Sequence, residues 1–300
     1  MKRTVSVGLG LTLLAAGTLL FSCGSSSKTP EEVVQETVQK GVEVAGDAGL
    51  IDKDAANAIS GALAEITPEE EYYIGRAVGA NILTNYPIDM TNQALVSYLN
   101  DICVTLVINS PKPSLYNGYH VAILDSDEIN AFATSGGHVF LTRGLVASAT
   151  SEDALAAVIA HEISHIQLQH SLKSIKTSRF GNALSASADA AGMDVGEKAE
   201  IFGSSVNDIT SSITNGYSQT QEFDADSNAL KLLTSAGYTP SALVEMLNSL
   251  KEKQASSPGV GFAKTHPSPE QRITNVNLTV GNYQTEDTRT FRQPRFAAIH

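Results

Sequence analysis

The sequence predicts an α+β protein that is mostly helical. Segments with a helical apolar period and recognisable caps recur from residue 67 to residue 277, while strand signals are confined to 119–124 and 138–142. Hydrophobic residues make up 42% of 300, enough for a sizeable core in one large domain or two small ones. No repeat with a period of about 20 to 50 residues is visible, which excludes solenoids and propellers.

The chain begins with an address. Lys2 and Arg3 precede an apolar run from Val5 to Phe21, at the lower edge of a bilayer span, and a charged start before a short apolar stretch is an export signal. The run closes in Leu20-Phe21-Ser22-Cys23-Gly24 and then turns Ser-rich. That closure resembles a bacterial lipoprotein cleavage box, which implies cleavage before Cys23 and a lipid on its thiol; an ordinary anchor helix with an incidental cysteine is the alternative. The expected organisation is a signal over 1–22, a lipid-anchored tether with weak helices over 23–66, a folded body over 67–280 and a C-terminal tail over 281–300. No later segment is apolar enough to span a bilayer, so the membrane is reached through Cys23.

The body opens at Thr67-Pro68-Glu69-Glu70, where Thr67 caps, Pro68 takes the first helical position and Glu70 closes a capping box, predicting a helix to about Tyr86. A second helix is expected over 91–108, ended by Ser110-Pro111-Lys112-Pro113. Strand 119–124 follows, and Asn130-Ala131-Phe132-Ala133 leads through Gly136-Gly137 into strand 138–142. Helix resumes at Ser151. Residues 180–212, rich in Ser, Ala and Gly, read as mobile helices or a lid. Helices 218–236, 239–253 and 268–277 complete the body.

Charge narrows the partners. Twenty Lys and Arg face 32 Asp and Glu, a net charge of −12 with no strongly basic segment, so a nucleic-acid partner has no electrostatic support. Of 2 cysteines, Cys103 stands in an apolar stretch and reads as a buried thiol, so no disulfide is expected.

Chemistry concentrates at His161-Glu162-Ile163-Ser164-His165, an H-E-x-x-H pattern. Ser151 can cap this helix, Glu152 and Asp153 suit its positive end, and Leu155, Val158, Ile159, Ile163 and Ile166 make it apolar on most sides, as in a buried helix. Four helical residues turn about 400°, leaving His161 and His165 about 40° apart and one turn apart along the axis. Burying two imidazoles and a carboxylate on one apolar turn calls for a common partner, which a divalent cation supplies; hydrogen-bonded core histidines are the bland alternative. His170 lies about 140° from His165 on an ideal helix and is expected to face away, as a surface or second-layer residue.

A hydrolytic zinc site usually has three protein ligands and one open position. Glu222, in Gln221-Glu222-Phe223-Asp224-Ala225-Asp226, is the candidate third ligand. Glu222, Asp226, Ala229 and Leu233 share one helical stripe whose later positions are apolar, so Asp226 is placed to fix the tautomer of a ligand histidine. An exposed acidic helix is the alternative.

The H-E-I-S-H helix, the Q-E-F-D-A-D segment, the stretch from Asn130 to Leu145 and Thr265-His266-Pro267-Ser268 with Arg272 together resemble the CAAX-prenyl-protease, Oma1-like and HtpX-like zinc metallopeptidases, over about 67–280. The resemblance implies a gluzincin fold, with a small sheet above the active-site helix, and one Zn2+ held by His161, His165 and Glu222. Asn130 and Ala131 match substrate-backbone contacts. The strand through His138, Val139 and Phe140 matches the edge along which peptide lies, and His266 and Arg272 match a downstream His and Arg near the site. Members that process prenylated substrates are multi-span membrane enzymes, and this chain lacks the spans. It looks more like exported bacterial members, which implies quality control of misfolded or unassembled envelope proteins, with envelope assembly machinery as a further partner. Gly24 after Cys23 resembles outer-membrane more than inner-membrane lipoproteins.

The expected mechanism makes Glu162 the general base and gives the oxyanion to His266 or Arg272. His266 could instead close the open metal position and hold the enzyme latent, or simply start a helix before Pro267. The rival from another class is a lipid-anchored chaperone or scaffold with a structural or residual metal site.

Overall fold

A three-stranded sheet separates two apolar cores in the computed structural model, which describes residues 66–173, 206–256, 261–266 and 269–299 with four isolated positions further towards the N-terminus. The signal, Cys23, most of the tether and most of 180–212 lie outside the described residues.

Strands β1 (His120–Leu124), β2 (Ala131–Thr134) and β3 (His138–Thr142) are ordered β1-β3-β2, with β3 parallel to β1 and antiparallel to β2. Successive side chains on a strand face opposite ways. Val121, Ile123, Ala131, Ala133, Val139 and Leu141 therefore enter one core, and Phe132 and Phe140 enter the other. Strands covered on both faces read as apolar runs without alternation, which is why β2, only Ala-Phe-Ala-Thr, looked like a lead-in. Gly136 and Gly137 turn β2 into β3 at φ of 76° and 100°. A Cβ on Gly137 would stand 2.1 Å from the Gly118 carbonyl oxygen, so the turn requires glycine.

The order corrects one expectation. His138, Val139 and Phe140 do not form an edge for peptide, because β3 is the central strand and its backbone is paired on both sides. The crossover that inserts β3 between β1 and β2 is non-local and leaves no mark in the strand's own residues. β1 is closed on its other side, where the Asn100 side chain bonds both Val121 N (2.9 Å) and Val121 O (2.9 Å) and Ile88 bridges Leu124. Among the described residues the outer side of β2 pairs with no strand.

Helix α1 (Pro68–Leu83) covers the phenylalanine face with Ile74, Val78 and Ile82. Its capping box is formed as expected: Glu70 N donates to Thr67 Oγ1 (3.2 Å) and Thr67 N to Glu70 Oε2 (2.8 Å). On the opposite face lie α2 (Gln93–Val107), capped by Asn92, and, after the short α3 (Arg143–Ser148), the motif helix α4 (Glu152–Gln167). Cys103 on α2 is fully buried, and burial pushes its thiol up to about 12, so it is a core thiol and not a nucleophile.

Every residue of α4 is buried. Each large apolar side chain on it, Leu155, Ile159 and Ile163 among them, contributes about 1.5–3 kcal/mol of burial. Helices α5 (206–215), α6 (Gln219–Ser235), α7 (Ala242–Ser256), α8 (Phe262–Thr265) and α9 (Pro269–Thr279) follow, with α6 and α7 packed on α4 and α9 packed on α6 and α7.

Residues 281–300 are not a free tail where described. Helix α10 (Arg289–Ile299) packs on α2 and α4 and neutralises the acids that open α4. Arg292 grips Asp153 through Nε to Oδ2 (2.9 Å) and Nη2 to Oδ1 (2.8 Å). Arg295 pairs with Glu152, which also accepts from Tyr98 (2.7 Å) and Tyr238 (2.9 Å). Glu152 and Asp153 thus serve the helix dipole while buried, because α10 brings their countercharges.

Candidate metal centre

His161 and His165 project from consecutive turns of α4 towards α6, where Glu222 occupies the first turn. His266, the residue ending α8, points into the same space, and one donor atom from each of these four buried residues lies within 4.8 Å of all the others. The separations are telling. His161 Nε2 lies 3.1 Å from His165 Nε2 and 3.4 Å from Glu222 Oε2, and His165 Nε2 lies 3.5 Å from Glu222 Oε1. His266 Nδ1 is 3.2 Å from His161 Nε2 and 3.2 Å from Glu222 Oε1. A tetrahedron with arms of about 2.0–2.2 Å has edges of about 3.3–3.6 Å. Three imidazole nitrogens and a carboxylate at these spacings fit Zn2+ in donor type and in geometry.

Behind the donors, a second layer fixes their direction. Arg272 is 1% exposed and grips Asp226 through Nε to Oδ2 (2.9 Å) and Nη2 to Oδ1 (2.6 Å), while its Nη1 pairs with Glu222 Oε2 at 3.0 Å. Asp226 Oδ1 in turn lies 3.0 Å from His161 Nδ1 and accepts its proton, leaving the Nε2 lone pair for the cluster. Asp226 and Glu222 share the inward stripe of α6 with Ala229 and Leu233, and Asp224 is exposed. Arg272 therefore stands beside the ligand layer with its guanidinium hydrogen-bonded to Asp226 and ion-paired with Glu222.

His170 is the second correction. Helix α4 ends at Gln167, and Gln169 adopts φ of 54°, the only non-glycine residue with positive φ among the described residues. That left-handed step folds His170 back, so it is buried with its Nδ1 2.8 Å from His165 Nδ1. His165 keeps its Nε2 for the cluster and donates its Nδ1 proton to His170. Projecting an ideal helix past residue 167 missed this, because nothing in Gln169 announces a left-handed residue.

Glu162 faces the same cluster, fully buried, with neither carboxylate oxygen hydrogen-bonded among the described residues and His266 Nε2 3.4 Å from Oε1. Burial raises its pKa above the ordinary carboxylate range. Glu222 behaves oppositely: burial, which would raise it, is outweighed by His266 and Arg272, and its carboxyl stays well below that range. Two acids with divergent basicity side by side suit a proton carrier and a ligand.

Asn130 and Ala131 sit at the start of β2. Asn130 Oδ1 accepts from Ala131 N (2.9 Å) and from Thr265 Oγ1 (2.9 Å), and Phe262 N donates to Ile129 O (2.8 Å). The turn carrying His266 is thereby tied to the head of β2. Tyr217 was not singled out by sequence reasoning: its ring stacks on His165 with centroids 4.1 Å apart and planes at 15°. Its position directly before the Ser218 cap of the Glu222 helix was the available signal.

Residues 92–280 match the profile of peptidase family M48. The chain belongs to this family and is by membership a metallopeptidase. It is 30% identical over 218 residues to the beta-barrel assembly-enhancing protease of Escherichia coli, covering 69% of this chain but 42% of that protein. Against the mitochondrial metalloendopeptidase OMA1 of Schizosaccharomyces pombe it is 31% identical over 150 residues (49% of this chain, 42% of the relative). Against metalloprotease LoiP of Escherichia coli it is 30% identical over 153 residues (50% and 58%). Helix α10 lies beyond the family match. Among the described residues no helix is long and apolar enough to cross a membrane.

Proposed function

We propose that this chain is a zinc-dependent endopeptidase that cleaves unfolded stretches of cell-envelope proteins. The observation that carries the reading is four buried ligand atoms within 4.8 Å of one another, with Glu162 beside them and unbonded among the described residues. His161, His165 and Glu222 would hold one zinc ion per chain, with Asp226 and His170 fixing the tautomers of the two histidines. When bound, the ion supplies Lewis acidity, which makes a water more acidic and a peptide carbonyl more electrophilic. Glu162 accepts the proton of the attacking water and passes it to the leaving amine. Enclosure by α4, α6 and α9 keeps bulk water from these groups.

An extended peptide is read along the outer side of β2. Asn130 and Thr142 form a hydrogen-bonded pair through Thr142 N to Asn130 O (3.0 Å). The alternation of antiparallel strands then turns the backbone of Ala131 and Ala133 outward, where Ala131 N is held by Asn130 Oδ1 and the Ala131 carbonyl and both polar groups of Ala133 face the open side. Main-chain pairing there gives affinity with little sequence preference, as suits misfolded clients. His266 at the fourth corner makes the folded chain latent, since substrate entry requires it to leave.

The likeness to a protease named for beta-barrel assembly supports an envelope setting. Within the proposal, residues 1–22 are a signal, lipid on Cys23 tethers 23–66 to a membrane, the outer more than the inner, and the catalytic body extends from 67 through α10. Casein digestion by the wild type and Glu162→Gln, with zinc measured in both, tests the reading. Glu162→Gln should retain zinc and lose about 10²–10⁴-fold in kcat. Equal cleavage would remove Glu162 as the base. Zinc in a wild type and a His266→Ala variant that are both inactive would favour the scaffold reading, which the closed four-donor set also suits.

A further inference from the structure

We propose that Tyr217 is a catalytic residue, whose phenolic O–H donates to the oxyanion formed from the scissile carbonyl. The inference rests on the endopeptidase reading above. Of the two groups from which the sequence led us to expect this hydrogen bond, Arg272 is committed to Asp226 by two hydrogen bonds and ion-paired with Glu222, and His266 holds the fourth corner, which it must leave before substrate enters.

Tyr217 packs against the ligand histidines, at the border of the phenylalanine-side core. It is 7% exposed, its ring stacks on His165, and its ring centroid stands 6.3 Å from that of His266. Among the described residues its hydroxyl has no hydrogen-bond partner. Buried hydroxyls are nearly always bonded, so one left open beside a hydrolytic centre is best explained by an acceptor that arrives only during reaction. The donor is held in place beforehand. Ser218, next in the chain, caps α6: its Oγ accepts from Gln221 N (3.4 Å) and its backbone N donates to Gln221 Oε1 (3.0 Å), so Tyr217 and Glu222 are positioned by one helix start. A phenol is a neutral donor at physiological pH, and it keeps its proton throughout: the water's proton goes to Glu162 and then to the amine, and Tyr217 only shares its hydrogen with the transient oxygen anion. A donor aimed at charge that exists only in the transition state raises kcat and leaves ground-state binding alone.

Tyr217→Phe keeps the ring and its stack on His165 and removes only the hydroxyl. In the full chain loaded with zinc, this variant should lose about 10²–10³-fold in kcat with KM, zinc content and unfolding midpoint unchanged. A phosphinic peptide, whose tetrahedral anion mimics the intermediate, should bind the variant more weakly by a comparable factor. The corresponding amide peptide should bind Glu162→Gln and the Tyr217→Phe, Glu162→Gln double variant equally. An active wild type whose Tyr217→Phe variant keeps its kcat, or loses rate only in step with lost zinc, overturns the role of Tyr217 alone. A wild type that neither cleaves casein nor binds the phosphinic peptide overturns the endopeptidase reading together with it.

Discussion

Replacing Arg292 by methionine should destabilise the protein by about 3–5 kcal/mol. Arg292 forms two charge-assisted hydrogen bonds to Asp153, at 2.9 and 2.8 Å, and Asp153 is 2% exposed. Its remaining partner is the Thr239 amide at 3.0 Å. Without Arg292 the carboxylate stays buried with one neutral donor, and desolvation goes uncompensated. For a folded body of this size each kcal/mol moves the thermal midpoint by about 2–4 °C, so a fall of about 6–20 °C is expected. Urea unfolding followed by circular dichroism measures the loss directly. Combining Arg292→Met with Asp153→Leu should recover most of it, because removing both charges leaves nothing buried and unpaired. A single-variant loss below about 1 kcal/mol, or strict additivity in the double-variant cycle, would refute the account of α10 as the neutralising element of α4.

Three further outcomes are expected. His266→Ala should open the fourth corner and raise basal casein cleavage several-fold with zinc retained, and lost cleavage with zinc retained would assign His266 to the reaction instead. Chelation should lower the unfolding midpoint and zinc restore it; an ion at about 100 times its Kd contributes about 2.7 kcal/mol, and an unmoved midpoint would remove the ion from the folded state. Glu152 supplies a pH test. Its burial, which would raise its pKa, is outweighed by Arg295, Tyr98 and Tyr238, and the folded value lies below the ordinary one. Such a group adds stability above the unfolded value of about 4.3 and loses it as pH falls through the folded value. The midpoint should therefore fall steeply below about pH 4, and Arg295→Ala should flatten that dependence by letting the folded value return towards the unfolded one.

What could be read from the sequence was local. The capping box of α1, the cap of α4, the burial of Cys103 and the convergence of His161 with His165 depend on residues within a few positions of one another. Glu222 and Asp226 could be read from the stripe they share with Ala229 and Leu233. What escaped depended on distant parts of the chain or on single dihedral angles. The central place of β3 follows from a crossover, and the folding back of His170 from the φ of Gln169. Helix α10 was hidden by its three arginines and Pro294, which make Arg289–Ile299 look like a polar tail until its buried partners are known. The inward placing of Tyr217 became visible only with α4 and α6 packed together.

The sheet that separates the two cores also constrains what a bound substrate can show of itself. A peptide paired along the outer side of β2 would continue the partition by one more strand, adding contacts without opening either core. Its side chains would alternate, one set towards α4 and the other towards the α1 side. Any preference recorded around the cut bond should then recur at every second residue, with neighbouring positions tolerant, so that the arithmetic of a pleat would be written into the cleavage products.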